Sequence, residues 1–394
     1  MDQSPFTQLI HRLTRYPALI DEVELFRLDV QSLPEISFQA GYQQQHAALR
    51  VCSKGICGWS EGAVSHNDPS FELAPWGACF SELKGTSVSA ALAQLQSLRE
   101  TWWVNQLEMA EIALLDLAGQ LLDEAVVNLL ALDGRQPVPG MTNLPETSHH
   151  RTTNIIRLAQ KQNLASYIKI QIYGELFQDT ERISTVRQTA GRKSYLVADA
   201  NEGYGRAASA SIDILAEHLN ALFEKGLNAC QDPAALSPAE WVTLQKKVGL
   251  LELVASKPFH PAWQGLANVT DGMGRICLLH PGRLGSLADA MLLARRLQGF
   301  GARIAIGDNS FVGPGGTIWQ QIAIGLEAAW VEALEKPEES DVFSQCVTSQ
   351  STTVKPDGRI GLVYDEARRN LRPGFGLEVD VPRLRKLCSA YCSI

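Results

Sequence analysis

From residue 167 onward, short apolar runs alternate with longer stretches whose apolar residues recur every three or four positions. The short runs are Tyr167–Ile172, Tyr195–Ala198, Leu227–Cys230, Leu250–Ala255, Arg275–Leu279, Arg303–Ile306 and Trp330–Leu334. Each has the length of a strand buried on both faces. Between them, Ile212–Glu224, Leu287–Leu297 and Thr317–Glu327 carry helical spacing. This alternation predicts parallel strands joined by crossover helices, and a first strand near Val138–Leu144 brings the count to that of a (β/α)8 barrel. In YIKIQIY the period of two sets Ile168, Ile170 and Ile172 on a face beneath the helices. Tyr167, Lys169, Gln171 and Tyr173 then face the barrel interior. Polar residues there are costly unless they are hydrogen-bonded or functional.

The N-terminal 66 residues read as β-rich. Leu25–Val30 and Leu49–Cys52 are short apolar segments, and GICGWSEG (Gly55–Gly62) combines a turn with a short strand. From Ser87 to about Leu130 the pattern is helical, with Met109, Ile112, Ala113, Asp116, Leu117 and Gln120 on an i, i+3, i+4 spacing. Asp133–Gly140, DGRQPVPG, has the Gly and Pro content of a linker. The final stretch returns to Gly, Pro and short apolar segments, and is expected to fold back on the N-terminal part. The predicted organisation is an α+β capping domain over 1–135, a modified (β/α)8 TIM-type barrel over 136–360, and a C-terminal return to the cap over 361–394.

Composition narrows the function classes. The chain has 394 residues, 45% of them hydrophobic, and a net charge of −8, which argues against a general nucleic-acid binder. Charges interrupt every apolar stretch before it reaches membrane-spanning length, and MDQSPFTQLIHRL lacks the layout of a signal peptide. Eight cysteines are scattered, and the Cys52 to Cys57 spacing matches no zinc pattern. Reduced thiols in a cytoplasmic protein are the expectation. Apolar barrel helices are compatible with a homo-oligomer. Functional groups of such barrels collect at the C-terminal ends of strands, a position that Gln171, Asp199 and His280 share.

Several segments resemble the enolase superfamily, specifically its mandelate racemase/muconate lactonizing enzyme group. GICGWSEG resembles the family's Gly-Trp-Gly-Glu turn, and AEIALLDLAGQLL (Ala110–Leu122) its linker helix. IKIQI resembles the Lys-x-Lys strand, and VADANEGY the third-strand Asp-x-Asn. HPGRLGSLADAMLLARRLQGFG (His280–Gly301) resembles the sixth-strand segment with its helix, and RPGFGLEVD (Arg372–Asp380) the return to the cap. The resemblance covers nearly the whole chain, in the family's order.

That resemblance implies abstraction of a proton next to a substrate carboxylate, with the enediolate stabilised on Mg2+ held by three carboxylates. Asp199 matches the first ligand. The second falls on Gln231 in CQDP, and the third near Ser256 in VASKPF. Neutral side chains compensate poorly for the lost charge, so weakened or absent Mg2+ binding is expected. Asp232 or Glu252 would supply a carboxylate if the strand register differed by a residue or more. No other cofactor is implied. The second Lys of Lys-x-Lys is Gln171 here, which cannot accept a proton, while Lys169 matches the auxiliary first Lys. The sixth-strand Lys becomes His280, which can titrate near neutrality. On the seventh strand, IAIGDNSF carries Asp308 where the mandelate racemase branch uses a histidine.

Other residues admit two readings. Lys257 either pairs with Asp199 in the vacated metal region or is a loop lysine. Gly313–Gly316, including Gly315, either offers backbone N–H groups to an anion or makes a plain turn. Tyr204 and Arg206 either line the mouth or belong to loop surface. Trp102–Trp103 reads as cap core, and His149–His150 as a solvated pair. Gly299-Phe300-Gly301 leads into a strand, unlike a dinucleotide fingerprint. Two function classes follow. One is a divergent isomerase, racemase, cycloisomerase or lyase acting on a small carboxylate, with His280 as acid/base, Lys169 or Lys257 as electrostatic support, and Gln171 as a substrate hydrogen-bond donor. Tyr204, Asp308 and Gly315 would then contact substrate. The other is a non-catalytic descendant that binds a metabolite or protein partner in the old pocket.

Overall fold

Alternating apolar residues near the N-terminus build three antiparallel strands, β1 (Glu22–Asp29), β2 (Gln44–Ser53) and β3 (Ile56–His66). The computed structural model describes residues 4–29, 44–66, 68, 70–144, 149–309, 311–332, 346–367 and 370–394. The C-terminal strand Ala390–Ser393 pairs antiparallel with the outer edge of β1, so the chain does return to the cap. Lys54 and Gly55, both at positive φ, form the two-residue turn between β2 and β3. That turn sets Cys52 opposite Cys57, and the two are joined by a disulfide. The expectation of eight reduced thiols is therefore corrected for this pair. A five-residue separation reads as nothing in a metal pattern, yet across a tight hairpin it brings the two thiols face to face. Cys79, Cys230, Cys277, Cys346, Cys388 and Cys392 are free.

The β-rich N-terminal segment also holds a helix, Pro5–Leu13, capped by the Ser4 hydroxyl and started by Pro5. The expected long helical region divides into several pieces, of which Val104–Leu122 is the central one. It shows no one-sided stripe, because every residue from Gln106 to Gly119 is buried. The cap strands cover one side and elements leading from the barrel cover another. Trp102 is core as expected, but Trp103 is 64% exposed and is not.

The expected first strand Val138–Leu144 is divided: β4 (Val138–Pro139) pairs antiparallel with Arg359–Leu362 in a separate sheet, and β5 (Thr142–Leu144) begins the barrel. It continues with β6 (Tyr167–Gln171), β7 (Tyr195–Asp199), β8 (Ala229–Gln231), β9 (Glu252–Ala255), β10 (Ile276–Leu279) and β11 (Arg303–Ile306). Strands β5 to β11 form one parallel sheet in sequential order. Val331 closes it by bridging Ile306 on one edge and Gly140 on the other. Its N–H donates to Pro139 O at 2.9 Å, and its carbonyl accepts from Met141 N at 2.9 Å. The expected eighth strand Trp330–Leu334 is thus seen in its first residues, and 333–334 lie outside the described residues. Among the described residues, no helix is long and apolar enough to cross a membrane.

Strand alternation divides the barrel as the period of two predicts. Ile168, Ile170 and Ile172 join the core beneath the helices. Inside, Met141, Val197, Ala229, Val254, Ile276, Leu278, Ala305 and Trp330 form a separate apolar cluster with Tyr167 and Tyr195. Glu252 lies at the start of β9, accepts from Tyr195 Oη, and meets Arg303 at 2.5 Å. That is the end of the strands opposite Asp199, so Glu252 does not replace a metal ligand.

Buried carboxylates on helix Val104–Leu122 tie the parts together. Asp116 accepts from Trp59 N at 2.8 Å and from Phe375 N at 2.6 Å, joining β3 to the C-terminal return. Glu108 accepts from the backbone N–H groups of Gly282, Leu284 and Gly285 at 2.5, 2.9 and 3.1 Å. Glu111 accepts from Leu287 N and from the Ser286 hydroxyl, at the start of helix Leu287–Gly299. Burial pushes all three carboxyl groups up to about 7 against the pull of these hydrogen bonds. Replacing Asp116 with Leu strands two buried N–H donors at about 1–3 kcal/mol each. The expected loss in urea unfolding is about 2–6 kcal/mol, with Asp116→Asn intermediate because it keeps one acceptor. Equal stability of Asp116→Leu and the parent would refute this assignment.

Candidate active site

The strand period carries the interior face one step beyond the apolar cluster. Val197 is followed on that face by Asp199, Ala229 by Gln231, Val254 by Ser256, Leu278 by His280, and Trp330 by Glu332. Tyr167 is followed by Lys169 and Gln171. A polar layer therefore lies on the apolar plug at the C-terminal end of the barrel. Pairing sets Gln171 beside Asp199, and Asp199 beside Gln231.

Lys169 is the charge centre of this layer. Its Nζ lies 3.0 Å from Glu332 Oε2 and 3.3 Å from Asp199 Oδ2. Glu332 also accepts from Trp330 Nε1 at 3.3 Å. Burial works against the Lys169 ammonium, but the two carboxylates outweigh it and hold its proton more tightly than usual. Burial raises Glu332, in opposition to the attraction of Lys169, and the neighbouring Asp199 raises it further. Gln171 Nε2 donates to the backbone carbonyl of Asp199 at 2.9 Å. Sequence reasoning missed Glu332. It stood two residues beyond Trp330 in an expected buried strand, which was a usable signal.

Lys257 is not the partner of Asp199. Its Nζ pairs with Glu202 at 3.1 Å, and both side chains are about one-third exposed. Lys257 follows the inward-facing Ser256 and so leaves the interior face. The backbone N–H groups of Ser256 and Lys257 donate to Asp232 Oδ1 at 3.0 and 3.2 Å. Asp232, at positive φ just past β8, is thus spent on the end of β9. Burial raises its carboxyl to about 6.

His280 is half-buried at the end of β10, with Nδ1 2.9 Å from the Pro281 carbonyl. The tautomer that donates from Nδ1 leaves Nε2 as a lone-pair acceptor. Pro281 and Gly282 occupy the centre of a turn closed by Arg283 N to His280 O at 3.2 Å, and Gly282 takes a φ of 79°. His260, which no sequence pattern marked, stands at right angles to His280 with ring centroids 6.0 Å apart. Burial, then the Arg283 charge, lowers His280 to about 4. Burial, then His280 and Arg283, lowers His260 to about 3. Both rings are neutral at pH 7.

The remaining expected contacts are corrected or relocated. Tyr204 does not line the mouth. It is buried, and its hydroxyl donates to Asp179 Oδ2 at 2.7 Å, while Asp179 also accepts from Gly174 N at 2.9 Å. Arg206 is exposed. Gly315 does not offer a free anion site, because its N–H donates to Glu61 Oε2 at 2.9 Å and Val312 N donates to Glu61 Oε1 at 2.7 Å. Glu61 comes from β3 of the cap, where His46 Nδ1 lies 3.1 Å from it. The anion these amides hold is the protein's own. Asp308 is half-buried in the loop after β11 and already engaged with a neighbour. Among the described residues, no three His, Cys, Asp or Glu side chains are grouped to hold a metal ion.

No protein-family model matches this chain, and no curated protein matches its sequence. Solved structures do. Muconate lactonizing enzyme from Pseudomonas putida superposes with a TM-score of 0.74 at 18% identity, over 94% of this chain and 100% of that one. A dipeptide epimerase from Cytophaga hutchinsonii, complexed with Mg and the dipeptide D-Ala-L-Val, gives 0.76 at 17% identity, over 95% and 100%. Muconate lactonizing enzyme from Pseudomonas fluorescens, complexed with muconolactone, gives 0.72 at 17% identity, over 95% and 100%. At such identities the likeness is one of fold: this chain has the capped-barrel fold of the muconate lactonizing enzymes, as its ordered motifs implied.

Proposed function

We propose that the barrel binds a small carboxylate and transfers the proton on its α-carbon, in an isomerase or epimerase type of reaction that does not depend on Mg2+. The observation that carries this reading is the polar layer itself, in which a neutral His280 with a free Nε2 shares the barrel mouth with a permanently charged Lys169. The solved structures of the same fold include a dipeptide epimerase and cycloisomerases, which supports the class.

The residues present do not fit Mg2+. That ion takes hard oxygens and little else, and relies on carboxylate charge. The family positions here hold a carboxylate on Asp199, an amide on Gln231 and a hydroxyl on Ser256, with the Lys169 ammonium 3.3 Å from the Asp199 oxygen. In the proposed step His280 Nε2 takes the α-proton, the C–H electron pair moves into an enolate, and a proton from solvent is added to the opposite face of that carbon, while the His280 proton is released to solvent. Lys169 faces the developing negative charge, and Arg283, exposed on the turn after His280, attracts the carboxylate at the rim. Two carboxylates share Lys169, so the three groups together carry −1 when both are ionised. A raised Glu332 can take up a proton as an anion enters.

A ~10^6-fold acceleration needs about 8 kcal/mol, whereas a positioned acid–base group contributes roughly 10²–10⁴-fold. A slow enzyme is expected. The second reading, binding without turnover, is favoured by one feature: both amino-acid positions beside Asp199 that the family uses for charge are neutral here, namely Gln171 and Gln231.

Exchange of α-protons with D2O across a panel of small carboxylates tests the proposal. His280→Ala should lower any exchange by about 100-fold or more. Because His280 is neutral down to about 4, kcat/KM should stay level from pH 8 to about 5 and fall below that. A panel with no exchange, in which one carboxylate still raises the melting temperature, would sink catalysis and leave binding. Lys169→Met leaves Asp199 and Glu332 adjacent and unpaired, which should cost about 3–5 kcal/mol at pH 7. The cost should shrink at pH 5, where protonation relieves the repulsion. Urea unfolding at both pH values would show it.

A further inference from the structure

Gln231 faces the barrel interior directly beside Asp199, and its side chain is 5% exposed. Its Nε2 donates to Asp232 Oδ2 at 3.4 Å, which orients the amide and turns Oε1 away from that carboxylate. Oε1 is buried and has no hydrogen-bond partner among the described residues. A buried acceptor without a donor is costly and calls for an explanation. Two donors of the polar layer are committed elsewhere. Gln171 Nε2 is committed to the Asp199 carbonyl, and the Lys169 ammonium to Asp199 and Glu332.

We infer that Gln231 Oε1 is a specificity-determining acceptor, so that the ligand is a carboxylic acid carrying an O–H or N–H donor beside its carboxylate rather than a plain fatty or unsaturated acid. The inference rests on the reading that the barrel binds a small carboxylate. A site built to accept a ligand hydrogen bond rejects the analogue that lacks it, because the protein group is then left unpaired. Carboxamide and carboxylate differ in this role. A glutamine accepts from the ligand without adding a third negative charge next to Asp199 and Glu332.

Lactate and propionate differ by one hydroxyl and provide the probe. NMR titration of the whole protein should give lactate a dissociation constant at least about fivefold lower than propionate. Gln231→Leu should erase that difference. Gln231→Glu keeps an acceptor, so it should weaken both acids while preserving their order, and it decides the matter if the Leu variant does not fold. Equal binding of the two acids to the parent protein, or a preference for lactate that survives Gln231→Leu, overturns the inference and leaves the carboxylate reading standing. Failure of both acids to bind overturns that reading and the inference together.

Discussion

Backbone N–H groups buried between cap and barrel must find acceptors, and carboxylates from the cap supply them. Helix Val104–Leu122 places Glu108, Glu111 and Asp116 on successive turns, each aimed at a different segment of chain. Glu61 does the same for the loop after β11. An unmade hydrogen bond at any of these places costs more than an ordinary hydrogen bond contributes. The relative position of cap and barrel is set by these acceptors as much as by apolar packing.

The site inherits its geometry from that constraint. Glu108 grips Gly282, Leu284 and Gly285, which hold the turn immediately after His280. The turn fixes the Pro281 carbonyl against Nδ1, and so fixes which ring nitrogen is left for chemistry. A residue of the cap that never enters the pocket thereby orients the candidate base within it. Lys169 is held differently, by Asp199 on the adjacent β7 and by the buried Glu332 beyond β5. The ring closure through Val331 brings one of them, Glu332, around to β6 from the far edge of the sheet.

Much of the fold was legible because strands buried on both faces are short, apolar and regularly spaced. Ile212–Glu224 was readable to the residue, and strands β6 to β11 within one or two. Helix Val104–Leu122 was readable as a helix but not as a buried one, since three acidic residues on its surface suggest exposure until their N–H partners are known. The disulfide was hidden for a related reason. Cys52 and Cys57 are ordinary by spacing and become partners only across a two-residue turn.

At the site, alternation within YIKIQIY by itself set Lys169 and Gln171 on the barrel interior, and strand-end position marked Asp199 and His280. The family resemblance supplied the expectation that Gln231 and Ser256 stand where metal carboxylates would. Only the tertiary structure decided which charge answers Asp199: Lys169 does, while Lys257 turns outward to Glu202. Only it decided that the glycine-rich loop is already filled by Glu61. Facing direction is a local property of a strand, whereas pairing depends on the closure and register of the whole barrel. Register places residues distant in sequence within 3 Å of one another, and no single strand contains that information.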